Sequence, residues 1–169
     1  MTYDNLTFYS SPEGEDVRRG QTLIYMKISN KRAFYDYLVS DRFEAGINLN
    51  GAEVKAVKMG HADLTGSFVR IMGSEAYLVN AKIFPYEYAR PEGYDETRTR
   101  KLLLHKREII SLKGKTDGAN LALVPISLYD KHGLIKLEVG IGKGKKQYDK
   151  KEAKKRADLK RDLDQELAG

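Results

Sequence analysis

The sequence predicts a mainly β protein: a small antiparallel six-stranded OB-like barrel flanked by two or three short helices. Three observations favour this class. Segments with an apolar residue at every second position recur along the chain, two pairs of them are separated by tight turns, and the helical segments between them are short. With 169 residues, 41% of them apolar, we expect one packed core with tails rather than two domains.

Five of the strands are predicted from alternation alone. Between Phe34 and Leu49 apolar residues recur nearly every second position, which indicates one long half-buried strand or two bent ones, with Gly46 free to form a bulge. Two hairpins follow, with strands at 68–72 and 75–79 and at 121–129 and 134–141. Pro125 lacks an N–H, so we expect it at an edge or a bulge.

Two helices are predicted from residue type and spacing. Residues 52–60 contain good helix formers and end at Gly60, which favours a short helix with a glycine stop. Thr97 or Thr99 is suited to cap a second helix from Arg100 to Leu112, because apolar residues there share one broad face. Residues 84–93, with two prolines, are expected to form a loop.

The two ends of the chain differ from its middle. Residues 1–26 lack periodicity and are predicted to be a disordered extension. Because Met26 is an alternative start, we hypothesise that residues 1–25 are not translated, which the intact mass of the native protein would test. The barrel is assigned to 27–142. The basic tail, 143–169, is predicted to be disordered when free and helical on a docking partner, with the helix near 150–163.

The charge is concentrated just beyond the last strand. The chain carries 30 Lys and Arg against 24 Asp and Glu, a net charge of +6, and residues 143–156 hold eight basic and two acidic side chains. Glycines 140, 142 and 144 interrupt regular structure, lysines attract phosphate, and Tyr148 offers a ring on which a base could stack. This pattern indicates a polynucleotide partner.

Several other classes are disfavoured. No cysteine is present, no apolar run approaches the ~18 residues of a membrane span, and the first residues lack a signal-peptide pattern, so we expect a cytoplasmic protein. The stretch 140–145 fails both the dinucleotide and the phosphate-loop patterns, and the three histidines lack metal-ligand spacing. We expect no enzyme activity, no cofactor and no metal.

Several blocks of sequence, in order, match one family. They are Asn30-Lys31-Arg32-Ala33 with Asp36-Tyr37, Phe43-Glu44-Ala45-Gly46-Ile47, Glu53-Val54-Lys55, Thr97-Arg98-Thr99-Arg100-Lys101-Leu102-Leu103-Leu104, Ser127-Leu128-Tyr129 and Gly142-Lys143-Gly144-Lys145-Lys146, then Asp149-Lys150. They span essentially residues 28–152. With these blocks in register, the chain resembles the SmpB family, the SsrA-binding proteins of bacterial trans-translation.

The resemblance implies a barrel that binds the tRNA-like domain of tmRNA and delivers it to stalled ribosomes, together with elongation factor Tu. By resemblance the tRNA-like domain contacts fall on Asn30, Glu44, Leu103 and Lys136, with Arg100 and Lys101 beside them. The tail would probe the decoding centre of the small subunit and the mRNA channel through Lys143, Lys145, Lys146, Tyr148, Asp149, Lys150 and Lys151. Here Asp-Lys-Lys replaces the family's commoner Asp-Lys-Arg.

Each of these residues also has an ordinary structural interpretation. Glu44 and Lys136 would be solvated strand residues in most proteins, and Leu103 belongs to a run of three leucines of which one is expected outside. The alternative function is a general barrel-type RNA or ribosome binder without tmRNA specificity, which would recognise charge and single strands only.

Overall fold

The computed structural model describes residues 26–89 and 92–168. The predicted N-terminal extension therefore lies outside the described residues, apart from Met26. The described strands are β1 Lys27–Ser29, β2 Tyr37–Ile47, β3 Ala62–Asp63, β4 Phe68–Met72, β5 Glu75–Val79, β6 Lys82–Ile83, β7 Arg100–Leu103, β8 Leu121–Lys131 and β9 Leu134–Gly144. The helices are α1 Lys31–Asp36, α2 Gly51–Lys58, α3 Lys106–Thr116 and α4 Gln147–Leu167.

Six strands close into a ring. The order β8-β4-β5-β7-β2-β9 returns to β8 through the β8–β9 pair, and every pairing is antiparallel. The short strand β1 adds to β8, and β3 pairs with β6 outside the ring. The inward side chains form the core, including Leu78, Leu102, Leu128, Leu137 and Val139. The predicted fold class, a mainly β six-stranded barrel with short helices, is confirmed.

Both predicted hairpins are present. Strands β4 and β5 turn at Gly73-Ser74, and strands β8 and β9 turn at His132-Gly133, where both residues have positive φ, as a tight two-residue hairpin turn requires. The β8 register shifts between Pro125 and Ser127, so the predicted irregularity at this proline is confirmed.

The first predicted strand begins later than expected. Residues 31–36 form helix α1, and β2 starts at Tyr37, so the assignment of Phe34 to a strand is wrong. The irregularity in β2 lies between Val39 and Asp41, whereas Gly46 is in regular register. The alternation of apolar residues predicted a strand here because a helix of only six residues is too short to show a helical period before the strand that follows it.

The predicted helix over 100–112 is also wrong in its first part. Arg100–Leu103 form strand β7 between β5 and β2, and helix α3 begins only at Lys106. The Glu108 carboxylate accepts a hydrogen bond from the His105 backbone N–H, 2.7 Å away, so His105 rather than a threonine begins the helix. Pairing on both sides of β7 outweighed the helical propensity of its leucines.

Helix α2 matches its prediction. Asn50 and Glu53 exchange the two hydrogen bonds of a capping box, and Gly60, at φ 79°, ends the turn after the helix. At the other end of the chain, β9 continues to Gly144, two residues beyond the predicted end of the barrel at residue 142, and α4 begins at Gln147.

Candidate nucleic-acid interface

The sheet register brings together three of the residues named by the family resemblance, Glu44, Leu103 and Lys136, on the outside of the barrel. Leu103 of β7 pairs with Gly46 of β2, Gly46 pairs with Lys136 of β9, and Lys136 pairs with Tyr129 of β8. Because side chains alternate along a strand, all four positions face away from the core. We call this row, with Glu44 and Lys131 beside it, the outer face.

Glu44 is held in place by two donors on the hairpin opposite. The Tyr129 hydroxyl donates to Glu44 Oε2, and Lys131 Nζ lies 3.0 Å from the same oxygen. Partial burial favours the neutral acid, but the two hydrogen bonds and the charges of Lys131 and Lys136 outweigh it and keep the pKa of Glu44 below its usual value. Glu44 is therefore an ionised acceptor in a fixed position.

The same contact also affects the protonation of Tyr129. Burial and the hydrogen bond to the Glu44 carboxylate both disfavour the phenolate and raise the pKa of Tyr129 far above its ordinary value. The phenol therefore stays protonated and donates to Glu44 at every physiological pH. The hydrogen bonds from Tyr129 and Lys131 both fall on the same carboxylate oxygen, Oε2.

Leu103 is the apolar member of the outer face. Its side chain is 58% exposed, whereas the preceding Leu102 is 2% exposed and lies in the core. A Cβ on Gly46 would lie 3.1 Å from the Leu103 Cβ, so the bare glycine gives Leu103 room to lie across β2. The alternative of core packing for Leu103 is excluded by this placement.

Arg100 is not on the outer face, and its predicted contact with RNA is wrong. The side chain is fully buried, with its guanidinium 2.9 Å from Glu53 Oε1. It also donates to the backbone carbonyls of Ala81, Arg98 and Glu96 at 2.8, 2.9 and 3.0 Å. Arg98 binds the same Glu53 carboxylate from the solvent side. Arg100 therefore ties β7 to α2 and the loop before β7.

Asn30 is also buried, at 5% exposure. Its side-chain amide donates to the carbonyls of Leu64 and Pro125, at 3.2 and 2.9 Å, which fixes the start of α1 against β8. Its Oδ1 has no hydrogen-bond partner among the described residues. Asn30 lines a cleft of about 740 Å³ between α1 and β4, away from Glu44 and Lys136.

Lys101 is exposed on β7, on the same side of the strand as Leu103. It is linked to two residues that sequence reasoning missed, Glu75 and Tyr77. Its ammonium binds the Glu75 carboxylate, which also accepts the Tyr77 hydroxyl. A carboxylate, a tyrosine and a lysine thus lie on each side of Leu103. They are Glu44, Tyr129 and Lys131 on one side and Glu75, Tyr77 and Lys101 on the other. The sequence predicted a strand at 75–79, but only the register of β5 against β7 places the side chains of Glu75 and Tyr77 beside Leu103.

The tail residues begin at the other end of β2 and β9. Lys143 and Lys146 are exposed, and Lys145 and Lys150 are half-buried and contact α1. Asp149 and Lys151 are exposed on the first turns of α4, while the Tyr148 side chain lies outside the described part of the structure. The outer face and the tail are therefore separate surfaces joined by one pair of strands.

No group of three or more His, Asp or Glu side chains is placed to hold a metal ion within residues 26–89 and 92–168. Over the same residues, no helix has both the length and the apolar character needed to cross a membrane.

Comparison with known proteins identifies the family. The SmpB protein family model matches residues 27–169. The chain is 46% identical over 141 residues to the SsrA-binding protein of Sulfurihydrogenibium sp. (strain YO3AOP1), covering 83% of this chain and 93% of that relative. It is 46% identical over 135 residues to the SsrA-binding protein of Geotalea uraniireducens (strain Rf4), covering 80% and 89%.

A solved structure agrees with the sequence relatives. A chain from "tmRNA-SmpB: a journey to the center of the bacterial ribosome" superimposes with a TM-score of 0.62 at 43% identity, covering 78% of this chain and 96% of that one. The fold is thus shared with that protein. The chain belongs to the SmpB family.

Proposed function

We propose that this protein binds the tRNA-like domain of tmRNA through its outer face and brings it to stalled ribosomes for trans-translation. The observation that carries the proposal is the fixed Glu44 carboxylate between exposed Leu103 and Lys136, in a chain whose relatives are SsrA-binding proteins. The solved relative, named as tmRNA-SmpB of the bacterial ribosome, supports both partners.

The outer face suits an unpaired RNA loop better than a duplex. An ionised carboxylate accepts hydrogen bonds from the amino and imino groups of a base, and these edges are open only where bases are unpaired. Leu103 would pack against a base or a sugar, and Lys136 and Lys131 would meet phosphates. Glu44 supplies the discrimination, because lysine contacts to phosphate are largely blind to sequence.

The tail acts on the ribosome in this proposal. Its basic residues 143–156 would follow the RNA of the decoding centre and mRNA channel, and Tyr148 would stack on a ribosomal base, worth about 1–3 kcal/mol. Elongation factor Tu is proposed to join the same complex. The protein is proposed to act in the cytoplasm by binding alone, without catalysis.

The test is a titration of the full chain against a tRNA-like-domain fragment and a hairpin of equal length and charge, at several salt concentrations. We expect a preference for the tRNA-like fragment that persists as salt rises, since base and shape recognition release few counterions. We expect Glu44→Gln to reduce that preference about tenfold or more, because it removes a hydrogen-bond acceptor of full charge.

Asp41→Asn is the matched control. Asp41 lies on the same strand and pairs with a lysine, Lys115 on α3, but it is not on the outer face. Both substitutions remove one negative charge, so any general gain in RNA affinity should be equal. Equal loss of preference in the two variants, or equal affinity of the wild type for both RNAs, would favour the general RNA binder instead.

A further inference from the structure

The end of helix α1 binds the beginning of the tail. The Asp36 carbonyl accepts a hydrogen bond from the Lys145 N–H at 2.9 Å, and Asp36 Oδ1 lies 2.9 Å from Lys150 Nζ. Lys145 Nζ donates to the Phe34 carbonyl at 2.8 Å. One residue of α1, Asp36, is thus bound both to Lys145, between β9 and α4, and to Lys150 in the first turn of α4.

The ion pair is partly shielded from water. The side chains of Asp36 and Lys150 are only 24% and 31% exposed. The hydrogen bond from Lys150 is the main reason that the pKa of Asp36 lies below its usual value, with Arg32 adding to the effect. The carboxylate is therefore ionised at neutral pH, and the pair is less weakened by salt than a fully exposed one.

The rest of α4, in its described residues, makes no comparable contact with the barrel. Every described side chain of the helix after Lys150 is exposed, including Leu159, Leu163 and Leu167. The packing of the helix on the barrel is therefore confined to its first turn. A helix from Gln147 to Leu167 is about 31 Å long, so a 20° change at its first turn would move its far end by about 10 Å.

We propose that Asp36 is a positioning residue: by binding Lys150, it sets the direction in which the tail helix leaves the barrel. An RNA bound to the outer face and a tail in the decoding centre must keep a fixed mutual geometry, and this contact would provide it. The functional part rests on the proposed role of the tail, but the direction of the helix can be measured without any RNA.

The measurement is the distance between two spin labels in the full chain. The sequence has no cysteine, so Ser74→Cys in the β4–β5 turn and Lys160→Cys on α4 provide two unique labelling sites. We expect one narrow distance distribution in the otherwise unchanged protein and in Asp36→Glu, because α4 is a helix whose first turn is bound to Asp36. The free tail predicted from the sequence to be disordered would instead give a broad distribution in every variant, and that result would overturn the proposal. In Asp36→Asn we expect a distribution that is broader or displaced, on the order of 10 Å.

Arg32→Gln is the matched control. Arg32 Nε lies 3.1 Å from the same Asp36 carboxylate, but it belongs to α1, so its loss should leave the distribution narrow. An Asp36→Asn distribution identical to that of the wild type would overturn the proposal. So would equal broadening in Arg32→Gln, because general loosening of α1 would then explain the effect.

A second measurement tests the consequence on the ribosome. We expect Asp36→Asn to lower tagging of stalled products at least several-fold while affinity for the tRNA-like fragment stays within twofold of the wild type. A displaced tail with unchanged tagging would overturn the claim that its direction matters. If the wild type itself failed to prefer the tRNA-like fragment, the proposed function would fail, while the distance result would stand.

Discussion

The Arg100 guanidinium lies 2.9 Å from the Glu53 carboxylate, and both side chains are completely removed from solvent. Two charges are stable in a core only when each has its partner and its remaining hydrogen bonds, and this pair has both: Arg100 binds three carbonyls, and Glu53 completes the cap of α2. The pair joins the helix α2 to the strand that carries Leu103.

Arg100→Ala should therefore act on stability. We expect a loss of about 3–5 kcal/mol in the free energy of unfolding, because the change leaves the Glu53 charge and several carbonyls without their partner. Arg98→Ala, which removes the 37%-exposed partner of the same carboxylate, should cost less, since water can take its place. Urea unfolding of both variants checks the order, and an equal cost would show that burial does not decide it.

Stability should fall in acid, and Glu53 should account for part of that fall. Burial disfavours its charged form, but the hydrogen bonds from Arg98 and Asn50 and the charge of Arg100 prevail, so its pKa in the folded state is below its ordinary value. A carboxyl whose folded-state pKa is depressed stabilises the fold above its unfolded-state pKa. That contribution is lost as pH falls through the folded-state value.

Glu53→Gln removes this pH dependence at a cost in neutral stability. We expect the variant to be less stable than the wild type at pH 7 and to approach it as the pH is lowered below about 4. Urea unfolding of both proteins at a series of pH values provides the comparison. Parallel acid curves for the two proteins would mean that other carboxyl groups control the transition.

The two neighbouring leucines of β7 should separate stability from binding. Leu102→Ala should cost about 2–5 kcal/mol of unfolding free energy because Leu102 is in the core. Leu103→Ala should cost under about 0.5 kcal/mol, yet weaken binding to the tRNA-like fragment, because its side chain is exposed on the outer face. Thermal melts and RNA titrations of both variants test this, and a large stability loss in Leu103→Ala would place that side chain in the core.

Sequence reasoning succeeded where the pattern was local. Alternation and turn residues were sufficient for the hairpins, and the closure of the ring followed from strand number and class. It failed at 100–103, where a leucine-rich segment with good helix propensity is held as a strand by partners on both sides. Tertiary pairing of that kind leaves no local signal.

The site was predicted in part for the same reason. The resemblance named Glu44, Leu103 and Lys136, and the register brings them together. Arg100 had a charge that suggested RNA, but nothing in the sequence showed that Glu53, 47 residues earlier, would enclose it. The supporting donors Tyr129 and Lys131 were missed because they lie 85 and 87 residues from Glu44.

Removal of the chain after Gly144 should separate the two proposed activities. The strands that carry the outer face end at or before this residue, so affinity for the tRNA-like fragment should stay within about twofold of the full chain, apart from the general loss of basic charge. Tagging of stalled products should be abolished, because the tail is the part proposed to enter the decoding centre.

Two measurements test these statements. RNA binding is measured at high salt, where the lost lysines matter least, and tagging is measured in a reconstituted translation reaction. Retained tagging would contradict the division of labour between barrel and tail, whereas lost binding at high salt would show that the tail supports the barrel itself.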